Sequence, residues 1–208
     1  MAKRKVAVID YGMGNLWSVL NAFNYLGAEA YLVNRPKSIL EADFIVLPGV
    51  GSFRKAMQTL NVHGISDAIR EAAIIKHAKL LGICLGMQLF GSQGTEDGET
   101  IGLGLINNKV DLFAPDELKS EKIPHVGFNT VHFNQKTRLF KDLPDQADFY
   151  FVHSYRMLIE QFMCNYGICN YGVEFLAAFE LDNVCGTQFH PEKSQTNGLI
   201  LLKNFLEI

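Results

Sequence analysis

The sequence predicts an α/β fold, a mainly parallel central sheet flanked by helices and carrying an antiparallel extension. Three observations predict it. Short apolar runs alternate with stretches of helical spacing through the first half. From Lys109 to Tyr155 the pattern changes to brief strand-like runs separated by Pro, Asn and Asp. The 208 residues, 48% hydrophobic and 20% charged, suffice for one domain with a full core.

Val6 to Ile9 is an apolar run ending at Asp10, as a buried parallel strand does. Leu16, Val19, Leu20, Phe23 and Leu26 recur at helical spacing, and Gly27 stops that helix. Ala30 to Val33 reads as a second strand, and Phe44 to Leu47 as a third, ended by Pro48 and Gly49. Helical stretches follow at Phe53 to Leu60 and at Ile65 to His77, the second with Ile65, Ala68, Ile69 and Ala72 on one face. Leu80 to Ile83 is a fourth strand that runs straight into Cys84. This strand–helix order implies parallel pairing with helices on both faces. Later strands are expected at Val131 to Phe133, Phe149 to Val152, Phe175 to Phe179 and Val184 to Phe189, and a closing helix carries Leu199, Leu202 and Phe205. With no repeat or linker in view, residues 1–208 are expected to form a single domain.

Net charge is −3 and the pI about 6.1, so no nucleic-acid-binding surface is expected. Lys3-Arg4-Lys5 is followed by only four apolar residues before Asp10, too few for an export leader. No run reaches the roughly 18 apolar residues of a membrane span. A cytoplasmic protein with no membrane partner is expected. Cys84, Cys164, Cys169 and Cys185 do not make a disulfide framework in such a chain. Cys164 and Cys169 lack the second pair a zinc site needs, so no metal is expected. Gly12-Met13-Gly14 imitates a dinucleotide-binding loop, but Trp17 stands where its third glycine belongs. The second strand also ends at Val33-Asn34-Arg35, without a carboxylate for a ribose, and no cofactor is expected.

The chemistry gathers in three short segments. Gly82-Ile83-Cys84-Leu85-Gly86 has the spacing of a nucleophile on a tight strand-to-helix turn, where the positive end of the helix favours a thiolate. A thiolate nucleophile needs a base held in one orientation. Of six histidines, His190 ends a strand-like run, and Glu192 two residues on can face the same way and fix its tautomer. Pro48-Gly49-Val50-Gly51 follows a neighbouring strand and can supply backbone N–H groups, with Leu85 N–H, to a developing oxyanion. Gln88, one helical turn after Cys84, faces the same side of the helix, where its amide can bind the polar end of a substrate or stand as a solvated helix residue.

Together these segments resemble the class I, triad-type glutamine amidotransferases, and more narrowly the glutaminase subunits of imidazole glycerol phosphate synthases. The likeness runs the length of the chain. Its matching segments begin at Asp10, Leu47, Gly82, Gly102, Ile123, Phe151 and Gly186, the last reading Gly186-Thr187-Gln188-Phe189-His190-Pro191-Glu192-Lys193-Ser194. The resemblance implies a flavodoxin-like sheet and a Cys84–His190–Glu192 triad acting on L-glutamine through a γ-glutamyl thioester. It implies substrate contacts at Gln88, His153, Ser154 and Tyr155. It also implies a heterodimer with a (β/α)8-barrel synthase that takes up the ammonia, docked near Tyr11, Asn15, Phe128 and Lys193. In histidine biosynthesis that partner forms imidazole glycerol phosphate and an aminoimidazole carboxamide ribotide. Three departures bear on the partner and leave the triad untouched: Phe128 replaces a usual Trp, Asn107-Asn108 a Pro-Gly pair, and Gly91 to Thr95 is atypical. Two alternatives follow: a paralogue supplying ammonia to amidinate a bacterial surface-polysaccharide sugar, and a catalytically silent regulatory subunit.

Overall fold

The computed structural model describes residues 3–118, 121–136, 138–159 and 164–208. The strands are β1 Lys5–Ile9, β2 Glu29–Val33, β3 Phe44–Gly49, β4 Lys79–Cys84, β5 Gln93–Gly94, β6 Thr100–Ile101, β7 Lys109–Leu112, β8 His125–Phe133, β9 Gln146–His153, β10 Tyr155–Met157, β11 Asn165–Tyr171, β12 Val173–Leu181 and β13 Val184–Thr187. The helices are α1 Leu16–Tyr25, α2 Pro36–Leu40, α3 Phe53–Val62, α4 Ile65–Ile74, α5 Leu85–Leu89 and α6 Gln195–Glu207.

Strands β2-β1-β3-β4-β13 are parallel and form one side of the sheet. β12 then pairs antiparallel with β13, and the sheet forks there, one arm through β10 and β7, the other through β11, β8 and β9. The period-two rule sorts the core. Val6, Val8, Phe44 and Val46 face a layer with Phe23 of α1 and Leu202 and Phe205 of α6. Ala7, Ile9, Ile45 and Leu47 face the opposite layer with Met57 of α3 and Ile69 of α4. The amphipathic spacing thus places helices on both faces, as the sequence predicts. No helix among the described residues is long and apolar enough to cross a membrane.

Several elements differ from expectation. β3 continues through Pro48 and Gly49, since β1 pairs only with Phe44–Val46 and leaves Pro48 bordered by β4 alone. The helix expected to reach His77 stops at Ile74, and His77 takes a φ of 53°. Helix α2 starts at Pro36 and buries only Ile39, too few residues to register as periodicity. The last parallel strand ends at Thr187, so Gln188 to His190 emerge beyond it.

Candidate active site

Strand β4 ends at Cys84, and α5 begins at the next residue. Cys84 has φ 55° and ψ −113°, a backbone conformation that costs a non-glycine residue on the order of 1–3 kcal/mol and persists only where packing enforces it. The flanking glycines make that packing. A Cβ on Gly82 would lie 2.7 Å from the Met87 backbone, and one on Gly86 would overlap the carbonyl oxygen of Leu47. The elbow is thereby pressed against β3, with Cys84 6% exposed at the end of the parallel sheet.

β13 runs parallel to β4 with Thr187 opposite Ile83, so the residues after Thr187 emerge beside the cysteine. His190 N–H donates to the Tyr150 carbonyl at 2.9 Å. Glu192 reaches the imidazole through a 3₁₀ turn over Pro191–Lys193 rather than along an extended strand. Its Oε1 accepts from His190 Nδ1 at 2.8 Å, with the two side chains 4% and 1% exposed. Ser194 clamps the turn: its Oγ donates to the His190 carbonyl at 2.7 Å and accepts from Tyr150 N–H at 2.9 Å. The outer nitrogen, His190 Nε2, is buried without a hydrogen-bond partner among the described residues. Burial alone would lower the His190 pKa. Interaction with Cys84 first, and then with Glu192, outweighs burial and pushes it up to about 10. When protonated, the Cys84 thiol donates to the Val152 carbonyl across 3.9 Å.

Gly49 lies opposite Cys84 in the parallel ladder, so the Gly49-Val50-Gly51 turn leaves the sheet beside the nucleophile. Val50, Gly51 and Leu85 line a cavity of about 310 Å³ with Cys84 at its wall. As the first residue of α5, Leu85 has an N–H with no acceptor inside the helix. Gln88, His153, Ser154 and Tyr155 also line the cavity. Gln88 Nε2 is spent on the Tyr155 carbonyl at 2.9 Å and on Gln188 Oε1 at 2.8 Å, which leaves its carbonyl oxygen for a ligand. Both ring nitrogens of His153 are engaged as well: Nδ1 with the Tyr155 carbonyl at 2.8 Å, Nε2 with His125 Nδ1 at 3.0 Å. Desolvation by burial pushes His153 down to about 3 and His125 down to about 4. His153 is therefore a neutral strut of the cavity wall.

Among the expected docking residues Tyr11 stands apart. It is 6% exposed, its hydroxyl packed against Gly49, because the β1 C-terminus turns its side chain under the β3 loop. Asn15, Phe128 and Lys193 are exposed. The Phe128 ring meets Tyr150 edge-on at 5.7 Å, and Lys193 Nζ lies 5.8 Å from the Tyr150 ring centre, so these form one patch beside His190. Sequence reasoning missed Glu96, Gln188 and Val152. Glu96 lines the cavity, accepts from Phe53 N–H at 2.9 Å, and has its pKa raised by burial. No local pattern marks it. The four cysteines are free, and no group of three metal-ligating side chains occurs among the described residues.

A cysteine on a strained strand-to-helix elbow, facing an imidazole braced by a carboxylate at the end of a parallel sheet, is the arrangement of a triad amidotransferase. The chain belongs to the class I glutamine amidotransferases: residues 7–208 match the family described as Glutamine amidotransferase class-I. It is 42% identical over 203 residues, 97% of either chain, to the imidazole glycerol phosphate synthase subunit HisH 1 of Parasynechococcus marenigrum (strain WH8102). It is 44% identical over 209 residues to the subunit HisH of Geobacter sulfurreducens, covering 98% of this chain and 99% of the relative. The structure of PurLQS from Thermotoga maritima superposes with a TM-score of 0.75 over 99% of both chains at 19% identity, a likeness of fold alone.

Proposed function

We propose that this chain is the glutaminase subunit of an imidazole glycerol phosphate synthase, hydrolysing L-glutamine with Cys84, His190 and Glu192. Relatives bearing that subunit name match it at 42% and 44% identity over nearly the whole of both chains. The observation that carries the chemistry is the coupling of a buried imidazole to the elbow cysteine on one side and to Glu192 on the other.

The Cys84 proton passes to His190 Nε2, and the thiolate attacks the side-chain amide carbon of glutamine. Amides of the Val50–Gly51 turn and of Leu85 receive the oxyanion. His190, kept basic by its partners, returns the proton to the departing ammonia and leaves a γ-glutamyl thioester. It then deprotonates the water that releases glutamate, while Glu192 holds the ring throughout. Gln88 through its carbonyl oxygen, with Ser154, Tyr155 and Glu96, supplies polar contacts for the substrate. The single domain works in the cytoplasm and docks through the Asn15, Phe128 and Lys193 surface onto a (β/α)8-barrel synthase that consumes the ammonia.

Cys84→Ala tests the reading. In complex with its copurified partner this variant should lose glutamine-dependent synthesis by at least about 10³-fold yet retain synthesis from ammonium salts. Glutamine use at the wild-type rate would overturn the assignment of the nucleophile. Copurification with a barrel that amidinates sugars would instead move the chain to the surface-polysaccharide pathway.

A further inference from the structure

Gln188 plays no part in the steps above, yet it is fully buried and touches the reacting atom. Its Nε2 donates to Cys84 Sγ across 3.7 Å. The orientation of that amide is dictated by its neighbours. The Tyr155 carbonyl can only accept, so Gln88 must turn its NH₂ group toward it. The same NH₂ group then points its second proton at Gln188, which must present Oε1 at 2.8 Å. That leaves the Gln188 NH₂ facing the sulfur. His153 Nδ1 fixes the Tyr155 carbonyl from the other side, and His125 Nδ1 fixes His153. Every group in this chain has one allowed orientation, because it is anchored on a backbone carbonyl.

We propose that Gln188 is a further catalytic residue, whose side-chain amide stabilises the Cys84 thiolate by donating a hydrogen bond to it. The sulfur is held between two opposed contacts. The Val152 carbonyl accepts from S–H and repels S⁻, so it favours the thiol. The Gln188 N–H becomes a charge-assisted donor when the S–H bond breaks and the proton moves to His190 Nε2. It therefore lowers the energy of the state that attacks. This inference rests on the glutaminase reading and names an additional group in its first step.

The test is the pH profile of Cys84 alkylation by iodoacetamide, read by peptide mass mapping alongside kcat and KM for glutamine in the complex with partner. Burial pushes the Cys164 and Cys169 thiols up to about 11 and about 12 and Cys185 still higher, so labelling near neutrality reports Cys84. In Gln188→Leu, alkylation at pH 7 should slow by about tenfold or more, the worth of a hydrogen bond to a charged group, and converge with wild type at alkaline pH. kcat should fall with it while KM changes little. The isosteric Gln188→Glu, which can still accept from Gln88, should slow alkylation further and serves if the leucine variant does not fold. An unchanged profile and kcat in a folded variant would overturn the proposal, as would a uniform slowing at every pH, the mark of simple blocking. If wild-type Cys84 were dispensable for glutamine use, the glutaminase reading itself would fall. If Cys84→Ala is inactive and the Gln188 variants match wild type, only the role of Gln188 falls.

Discussion

The half of the molecule that presents the nucleophile and the half that surrounds it are built by different rules. Cys84 is set by contacts close in sequence and by one adjacent strand: Gly82 against Met87, Gly86 against Leu47, β4 beside β3. The sulfur's own partners come from the far end of the chain, Val152 at a separation of 68 residues and Gln188 at 104. The elbow fixes where the sulfur stands; the later strands fix what it can do. Disturbing the first should cost folding, whereas disturbing the second should cost rate and pH dependence with the fold intact.

Gly86→Ala would break the contrast if it folded normally. Its methyl would meet the Leu47 carbonyl, and urea unfolding should register a loss of about 3 kcal/mol or more. On the other side, Glu192→Gln retains the shape of the turn but loses the charge bracing His190. A fall in kcat of roughly 10²-fold with little change in stability is expected in glutaminase assays of the complex.

The two kinds of histidine sharpen the comparison, because their signs are opposite. His125 and His153 are held below the ordinary 6.5, so their stabilising contribution is complete above that pH and is lost as pH falls toward about 4 and about 3. His190 is held above it, so its contribution is complete below 6.5 and is lost as pH rises toward about 10. His125→Phe preserves the stacking between Phe151 and Tyr171 but leaves His153 Nε2 without a donor. It should cost about 1–2 kcal/mol at pH 7 and flatten the decline in stability between pH 6.5 and 4, as followed by urea unfolding at several pH values. The smallest effect is expected at the surface patch. Lys193→Ala removes an exposed charge from the Tyr150 cluster and should weaken partner binding by about 0.5–1 kcal/mol, measurable by titration calorimetry.

What was legible in the sequence follows the same division. Five residues announce the elbow and three the His190–Glu192 pair, because each is a local backbone device. The parallel strands β1, β3 and β4 were legible because burial on both faces makes them continuous apolar runs. β11 was not, since Asn165 to Tyr171 mixes polar and apolar residues and shifts register at Gly167. Nor were Gln188, Val152 and Glu96, whose neighbours lie elsewhere in the chain. Tyr11 stands in a motif that suggested a surface role, yet the tertiary fold turns it inward.

Covalent labelling of the nucleophile tests the central claim most directly. The chain in complex with its partner is incubated with a diazoketone analogue of glutamine and mapped by peptide mass spectrometry. Stoichiometric labelling of Cys84, abolished in the His190→Ala variant while that variant remains folded, is the predicted result. Labelling at Cys164, Cys169 or Cys185 instead, or none at all with an active enzyme, would contradict it.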